Sequence, residues 1–272
     1  MNRRTDEPMN LFKKNIKDIS AVARILWERG WAESSAGNIS VDITGSHKLP
    51  KSRLRKNRFS RMDPSYPELK NSLFLVTGTG TRMRDIAERP LETLLLLSID
   101  EEGSGYYRIQ DDCVRKDILP TSELLTHFAL HNILRQRKSP ARALLHAHPT
   151  ELIALMHTPE GSDERKLNNV LYKMYPEASV VSPYGAALIP YDMTGSGELA
   201  AKTLMGFHSD CLILWEKHGC LAASVDIQTA FDIVDVMNKS AQLFLLCRSA
   251  GFEPSGLSET QITALQEKYR NH

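Results

Sequence analysis

The alternation of apolar and polar positions predicts helices interleaved with short strands along the chain. Residues 10–29 carry apolar side chains at helical spacing and stop at Gly30, whereas 38–43 alternates with the two-residue period of a strand. Further strands are predicted at 72–80, 91–100, 105–110, 143–148, 178–182, 186–190 and 211–219, and further helices at 119–136, 150–157, 195–206 and 226–251.

These elements favour a single α/β domain over residues 1–272. The runs at 91–100 and 105–110 flank a glycine-containing turn and predict a hairpin, so we expect a mixed, largely antiparallel central sheet flanked by helices. No internal repeat and no linker rich in proline, glycine and serine divides two cores. The helix at 119–136 has the clearest start, with Thr121 or Ser122 as its expected cap.

A basic run occupies residues 46–62, which contain seven lysines and arginines and no acid. The run could be a nucleic-acid patch or a solvated surface insertion. We interpret it as a surface insertion, because no aromatic-rich RNA motif or helix-turn-helix pattern accompanies it.

The composition is that of an ordinary globular protein. The 272 residues are 42% hydrophobic and 25% charged, and the net charge of +1 offers no global attraction to nucleic acid or an anionic membrane. Cys113, Cys211, Cys220 and Cys247 lack C-x-x-C spacing and indicate reduced thiols. We expect a cytoplasmic protein, because neither an apolar signal segment nor a run of transmembrane length is present.

Two histidines one residue apart, His146 and His148, end a short apolar strand. Because side chains at i and i+2 point to the same side of a strand, the pair can converge on one divalent metal such as zinc. Spacing alone leaves open a hydrogen-bonded core histidine beside a surface histidine. The best third ligand is His218, which follows another apolar run. His127 and His131, four residues apart without an H-E-x-x-H pattern, are interpreted as structural.

Three segments offer backbone amides and small polar side chains suited to an anion. Residues 76–81 follow a strand and present glycine-flexed amides with two threonine hydroxyls. Residues 34–40 form a second small-residue loop, and the helix start at 121–123 is a third, because its amides and dipole favour negative charge. Taken singly, each segment is better interpreted as an ordinary turn. Glu123 suits a first helical turn and becomes a candidate general base only beside a metal.

The chain resembles the class II aldolase/adducin family through motifs that occur in the family's order. They are T-S-E-L-L-T-H-F-A-L-H (121–131), L-L-H-A-H-P-T-E-L-I-A-L (144–155), I-L-W-E-K-H-G (213–219) and D-I-V-D-V-M-N-K-S-A-Q (232–242), with V-T-G-x-G at 76–80. The likeness runs from about residue 10 to 250, and the length of the chain favours rhamnulose-type members over the shorter fuculose-type ones.

The resemblance implies a homotetramer with one Zn²⁺ per subunit, which cleaves L-rhamnulose 1-phosphate into dihydroxyacetone phosphate and L-lactaldehyde in L-rhamnose catabolism. It implies His146, His148 and His218 as zinc ligands and Glu123 as the acid that moves the proton at the substrate carbon. Glu177 corresponds to a second family glutamate at the aldehyde end. The implied phosphate and substrate contacts fall on Ser35, Gly37, Asn38, Thr79, Thr121 and Ser122.

The sequence departs from the family pattern at Ser35, where rhamnulose-type members tend to carry asparagine, and just before Glu177. Two other functions stay open: an aldolase or epimerase for L-fuculose or ribulose phosphate, and an adducin-like interaction module without metal. The retained histidines and Glu123 argue against the interaction module. A nucleic-acid binder that used the basic run would show salt-sensitive binding.

Overall fold

The computed structural model describes residues 12–45, 58–109, 118–207 and 212–269. The chain divides into two compact units, Met1–Leu145 with Val225–Gln228 and His146–Ser224 with Thr229–His272. Antiparallel strand pairs predominate, a parallel pair also occurs, and helices flank the strands, which confirms the predicted α/β class. The extent of the predicted domain, residues 1–272, stays a prediction.

The first unit is built on antiparallel strands. It contains α1 (Lys13–Glu28), β1 (Asn38–Asp42), β2 (Arg58–Arg61), a 3-10 helix (Pro67–Leu69), β3 (Leu73–Thr77), α2 (Met83–Glu88), α3 (Pro90–Thr93), β4 (Leu94–Ile99), β5 (Gly105–Ile109), α4 (Leu124–Gln136) and the start of β6 (Ala143–Ala147). The strand order is β2-β5-β4-β3-β1, and each neighbouring pair is antiparallel. The predicted hairpin of β4 and β5 is confirmed.

The second unit begins within β6 and contains a mixed set of strands. Its elements are α5 (Thr150–Leu155), α6 (Glu164–Met174), α7 (Ala178–Val181), β7 (Ala186–Ile189), α8 (Gly197–Gly206), β8 (Leu212–Trp215), β9 (Gly219–Ser224), most of α9 (Ile227–Ser249) and α10 (Glu259–Tyr269). Strand β8 pairs in parallel with β7 and antiparallel with β9.

Aromatic packing fixes α4 in the core of the first unit. The Phe128 ring of α4 lies 5.0 Å from the Phe74 ring of β3, centroid to centroid, and both side chains are fully buried. Strands β3 and β4 are buried along their whole length, as their continuous apolar sequences predict. Helix α4 therefore packs one face against the β-strands of the first unit. Polar residues of α4 also lie close to polar residues of β1.

Two predictions of local structure are wrong. The strand predicted at 178–182 is instead helix α7 (Ala178–Val181), because Pro176 and Glu177 start a helical turn and the apolar run is too short to decide by itself. Helix α4 begins at Leu124, with Glu123 at the N-cap position, rather than after a Thr121 or Ser122 cap. The segment before it pairs with the end of β3, through Thr79 N–H to Leu119 and Thr121 N–H to Thr77, and this pairing delays the helix.

Most of the basic run, residues 46–57, lies outside the described residues. Its last part forms β2, which pairs with β5. Of the predicted thiols, Cys220 and Cys247 are free, while Cys113 and Cys211 also lie outside the described ranges. Across the described part of the chain, every helix is too short or too polar to cross a membrane.

Candidate functional site

Three imidazoles converge in the second unit. His146 lies in β6, His148 follows the strand directly, and His218 lies in the turn between β8 and β9. Their potential ligand nitrogens all lie within 4.8 Å of one another. The structure therefore brings together the three histidines that the sequence analysis singled out, with His146 buried and the other two half-buried.

The donor geometry fits a metal ion. His146 Nε2 and His148 Nε2 lie 3.2 Å apart, close to the roughly 3.3 Å that separates two nitrogens bound to one tetrahedral zinc ion. His146 Nδ1 lies 2.8 Å from the main-chain oxygen of Cys220. Since a carbonyl oxygen only accepts, His146 carries its proton on Nδ1 and presents the Nε2 lone pair to the other histidines.

Sequence analysis missed Trp215, which supports the histidine cluster from β8. Its indole ring stacks on His218 with centroids 5.2 Å apart and a 16° interplanar angle, and it also packs against His146 at 4.8 Å. The indole N–H donates to Thr203 at 2.9 Å, which fixes the ring. Trp215 therefore restricts two of the three imidazoles, although the sequence signals only a buried aromatic residue.

Gly219 allows the strands to approach closely behind the histidines. A Cβ at this position would lie 2.6 Å from the main-chain oxygen of Ala147 and 2.7 Å from His148 Cδ2. Any larger residue would displace β6 or the His148 ring. The preceding Lys217 adopts a left-handed conformation with φ of 59°, which makes the tight turn that carries His218.

Glu123 lies in the first unit and is 8% exposed. Its Oε2 accepts a hydrogen bond from Asn38 Nδ2 at 2.9 Å, and its main-chain N–H donates to the Thr121 hydroxyl at 3.3 Å. Asn38, which the family resemblance places in the phosphate and substrate loop, therefore contacts Glu123, the predicted proton-transfer residue, through its side-chain amide.

Two of the predicted anion-binding segments meet in the first unit. Gly78 and Pro120 form an isolated β-bridge, which sets Thr79 beside the segment that leads to Thr121. The start of β1 joins them, because Ile39 N–H donates to the Thr77 hydroxyl at 3.1 Å.

The other predicted phosphate and substrate residues differ in exposure. Ser35, Thr79 and Ser122 are exposed, Thr121 is buried, and Gly37 takes a positive φ of 74°. Their roles as ligand contacts stay predictions.

Sequence analysis also missed a buried polar ladder between β1 and α4. His127 Nε2 lies 2.5 Å from Asn38 Oδ1, and Ser40 Oγ lies 2.6 Å from His127 Nδ1 and 2.9 Å from His131 Nε2. Burial lowers the pKa of His131 to about 4, so this imidazole is neutral near pH 7. The structural interpretation of both histidines agrees with this burial.

Glu177 lies in the second unit, immediately before α7, and its side chain is exposed. Its main-chain oxygen accepts from the N–H groups of Val180 and Val181. These contacts describe a helix start, and a role of its carboxylate in proton transfer stays a prediction.

Comparison with known proteins places these residues in a family context. The Class II Aldolase and Adducin N-terminal domain matches residues 17–245. A rhamnulose-1-phosphate aldolase of Bacteroides thetaiotaomicron is 36% identical over 258 residues, which cover 92% of this chain and 91% of that protein. A rhamnulose-1-phosphate aldolase of Yersinia pestis is 31% identical over 248 residues, covering 90% and 89%.

The fold agrees with the same family. The crystal structure of a sugar-phosphate aldolase from Thermotoga maritima superposes with a TM-score of 0.75 at 29% identity, over 90% of this chain and 99% of that one. The expected family resemblance is thus confirmed in both sequence and structure. The chain belongs to the class II aldolase and adducin family and is a metal-dependent aldolase, a carbon–carbon lyase.

Proposed function

We propose that the protein is a zinc-dependent aldolase that cleaves L-rhamnulose 1-phosphate into dihydroxyacetone phosphate and L-lactaldehyde. The observation that carries the proposal is the convergence of the His146, His148 and His218 nitrogens within 4.8 Å. The names of the relatives from B. thetaiotaomicron and Y. pestis support the choice of sugar, because each match covers about nine-tenths of both proteins.

Three imidazoles favour zinc over the harder cations Mg²⁺ and Ca²⁺, which prefer oxygen ligands. His146, His148 and His218 would hold the ion and leave coordination room for substrate oxygens. When bound, the ion acts as a Lewis acid that stabilises negative charge on the substrate oxygens. The hydrogen bond from His146 Nδ1 to the Cys220 carbonyl keeps Nε2 as the ligand atom.

Two carboxylates carry the proton transfers in this proposal. Glu177 accepts the proton of the C4 hydroxyl, the bond between C3 and C4 breaks, and the aldehyde product leaves with its new carbonyl group. The bonding electron pair stays on the three-carbon phosphate fragment, and Glu123, which enters the cleavage direction protonated, donates that proton to C3 of the fragment to give dihydroxyacetone phosphate. Glu177 then releases its proton to solvent and Glu123 takes one up, which restores both groups. In the condensation direction Glu123 removes the same proton from C3. Its low exposure, 8%, keeps bulk water away from the carboxylate.

The phosphate would be held by main-chain amides and small hydroxyls in the first unit. Thr79 and Thr121 belong to segments joined by the Gly78–Pro120 bridge, and Gly37 adjoins Asn38 at the start of β1. Exposed Ser35 and Ser122 supply further hydroxyl groups. Anchoring a remote dianion orients the reacting carbons and contributes binding energy to the transition state.

The direct test measures release of dihydroxyacetone phosphate from L-rhamnulose 1-phosphate and, in parallel, from L-fuculose 1-phosphate. We expect faster release from the rhamnulose compound, loss of activity with a chelator and recovery with zinc. Faster release from the fuculose compound would overturn the substrate assignment and keep the aldolase. Activity that persists in metal-free protein would overturn the metal assignment.

Two further expectations belong to this proposal. The family resemblance favours a homotetramer in the cytoplasm that binds neither nucleic acid nor membrane. Sedimentation velocity of the purified protein tests the assembly, and a mass near that of one 30.6 kDa chain would contradict it.

A further inference from the structure

We propose that His127, Ser40 and His131 are positioning residues for Glu123, acting through Asn38. The inference rests on the proton-transfer role that the proposed function gives to Glu123. It goes beyond that role because it assigns a purpose to two buried histidines and a serine outside the metal-ligand cluster.

The polar residues of the ladder face each other because every second residue of β1 and every fourth residue of α4 are spaced by nearly the same distance. Asn38, Ser40 and Asp42 occupy alternate positions of β1, roughly 6.5–7 Å apart, and therefore share one face of the strand. His127, His131 and Arg135 occupy every fourth position of α4, roughly 6 Å apart, and share one helix face. The two rows face each other: Asn38 meets His127, Ser40 meets both histidines, and Asp42 meets Arg135.

The hydrogen bonds of the ladder can run in only one direction while Glu123 is ionised. An ionised carboxylate only accepts, so the Asn38 atom that faces Glu123 is the amide nitrogen and the atom that faces His127 is the amide oxygen. His127 must then donate from Nε2, and in the neutral ring this leaves Nδ1 as an acceptor for the Ser40 hydroxyl. Ser40 in turn accepts from Nε2–H of His131.

Burial keeps water away from the contacts among Ser40, His127 and His131. Ser40 and His127 are 0% exposed and His131 is 1% exposed. A buried polar group that loses its partner carries the full cost of desolvation, so the intact ladder strongly favours one orientation of each ring and amide. Removing the Ser40 hydroxyl would let His127 change its tautomer, and the Asn38 amide could then turn its oxygen toward Glu123.

The consequence for chemistry is a carboxylate held in one position by a charge-assisted hydrogen bond on Oε2. Proton transfer to carbon needs a donor placed to within a fraction of an ångström, whereas the three metal ligands and the hydroxyls of Thr79 and Thr121 lie outside the ladder. Loss of the ladder should therefore slow the proton transfer more than it weakens substrate binding, while the metal content stays unchanged.

The experiment follows deuterium incorporation into dihydroxyacetone phosphate alone, in D₂O, by NMR on the zinc-loaded protein. Exchange reports removal and return of the proton assigned to Glu123, and it needs no cleavage of a carbon–carbon bond. Ser40→Ala is compared with Ser240→Ala, which removes another fully buried hydroxyl, one bonded to the main-chain oxygen of Leu171 in the second unit. His131→Gln, which keeps a donor for Ser40, is compared with His131→Leu, which does not.

We expect Ser40→Ala and His131→Leu to lower the maximal exchange rate roughly tenfold, the effect of one or two lost hydrogen bonds. The half-saturating concentration should change by less than the maximal rate, and the zinc content should not change. His131→Gln and Ser240→Ala should exchange like the unmodified protein. Wild-type exchange in Ser40→Ala would overturn the positioning role if Glu123→Gln abolishes exchange. Wild-type exchange in Glu123→Gln would instead overturn the assignment of Glu123 on which the inference rests.

Discussion

Arg135 Nη2 lies 2.6 Å from Asp42 Oδ2, and the Asp42 side chain is only 1% exposed. Burial alone would raise the pKa of Asp42, but Arg135, His131 and the Thr44 side chain outweigh it and hold the pKa below its ordinary value. The pair closes the end of the β1–α4 ladder opposite Glu123. A buried carboxylate that loses its partner is strongly destabilising, which gives the first prediction.

Arg135→Met should lower the free energy of unfolding by about 3–5 kcal/mol, because it leaves the Asp42 carboxylate buried and unpaired. Arg89→Met is the matched control, since Arg89 pairs with Asp85 and Glu92 at the surface, at 3.5 and 3.4 Å. We expect the control to change the free energy by less than about 1 kcal/mol. Urea unfolding followed by circular dichroism measures both, and equal effects would contradict the importance of the buried pair.

Stability should also depend on pH through His131. Burial lowers its pKa from 6.5 to about 4; Asp42 opposes this shift, and Arg135 and Arg142 add to it. Between these pH values the unfolded chain binds a proton that the folded protein excludes. The free energy of unfolding therefore decreases as the pH falls from about 6.5 to 4. Over the whole pH window the free energy of unfolding changes by about 3 kcal/mol.

His131→Gln isolates this contribution because glutamine keeps a donor for Ser40 and does not titrate. The difference in unfolding free energy between this variant and the unmodified protein should therefore change with pH between about 4 and 6.5 and level off above it. Asp42 does not affect this comparison. Its pKa lies below its ordinary value, so the stability that depends on its ionisation is lost only below this pH window. Parallel stability curves for the two proteins would contradict the burial of a neutral His131.

Gly219→Ala should weaken zinc binding by at least about tenfold. The new methyl group would meet the Ala147 oxygen at 2.6 Å and His148 Cδ2 at 2.7 Å, so the imidazole must move to make room. Gly197→Ala serves as the control, because a Cβ there meets nothing within 4 Å. Competition with a chromogenic chelator gives both affinities, and an unchanged affinity for Gly219→Ala would show that the His148 ring tolerates displacement.

The convergence of His146, His148 and His218 could be predicted from the sequence because it depends on local rules. His146 and His148 are two positions apart, so their side chains point to the same side of the chain as in a strand. His218 follows an apolar run and therefore lies near the end of another strand. The contribution of Trp215 and Gly219 could not be predicted in this way. Their contacts arise from the approach of segments about 70 residues apart in sequence, such as Gly219 and Ala147.

The ladder shows the same division between local and long-range information. The sequence already contains alternate polar residues at Asn38, Ser40 and Asp42 and a four-residue spacing of His127 and His131. Alternation of this kind predicts a strand with one face in solvent, yet every residue of β1 is buried because α4 covers its polar face. Only the fold reveals that these two rows meet.

The most direct test of the account measures zinc and cleavage activity together in the unmodified protein and in His146→Ala, His148→Ala and His218→Ala. Metal-free protein is titrated with Zn²⁺ while release of dihydroxyacetone phosphate from L-rhamnulose 1-phosphate is followed. We expect the unmodified protein to bind one zinc per chain and to gain activity in proportion to occupancy, and each variant to lose both zinc and activity. A variant that keeps full activity without binding zinc would contradict the assignment of the three histidines as the metal site.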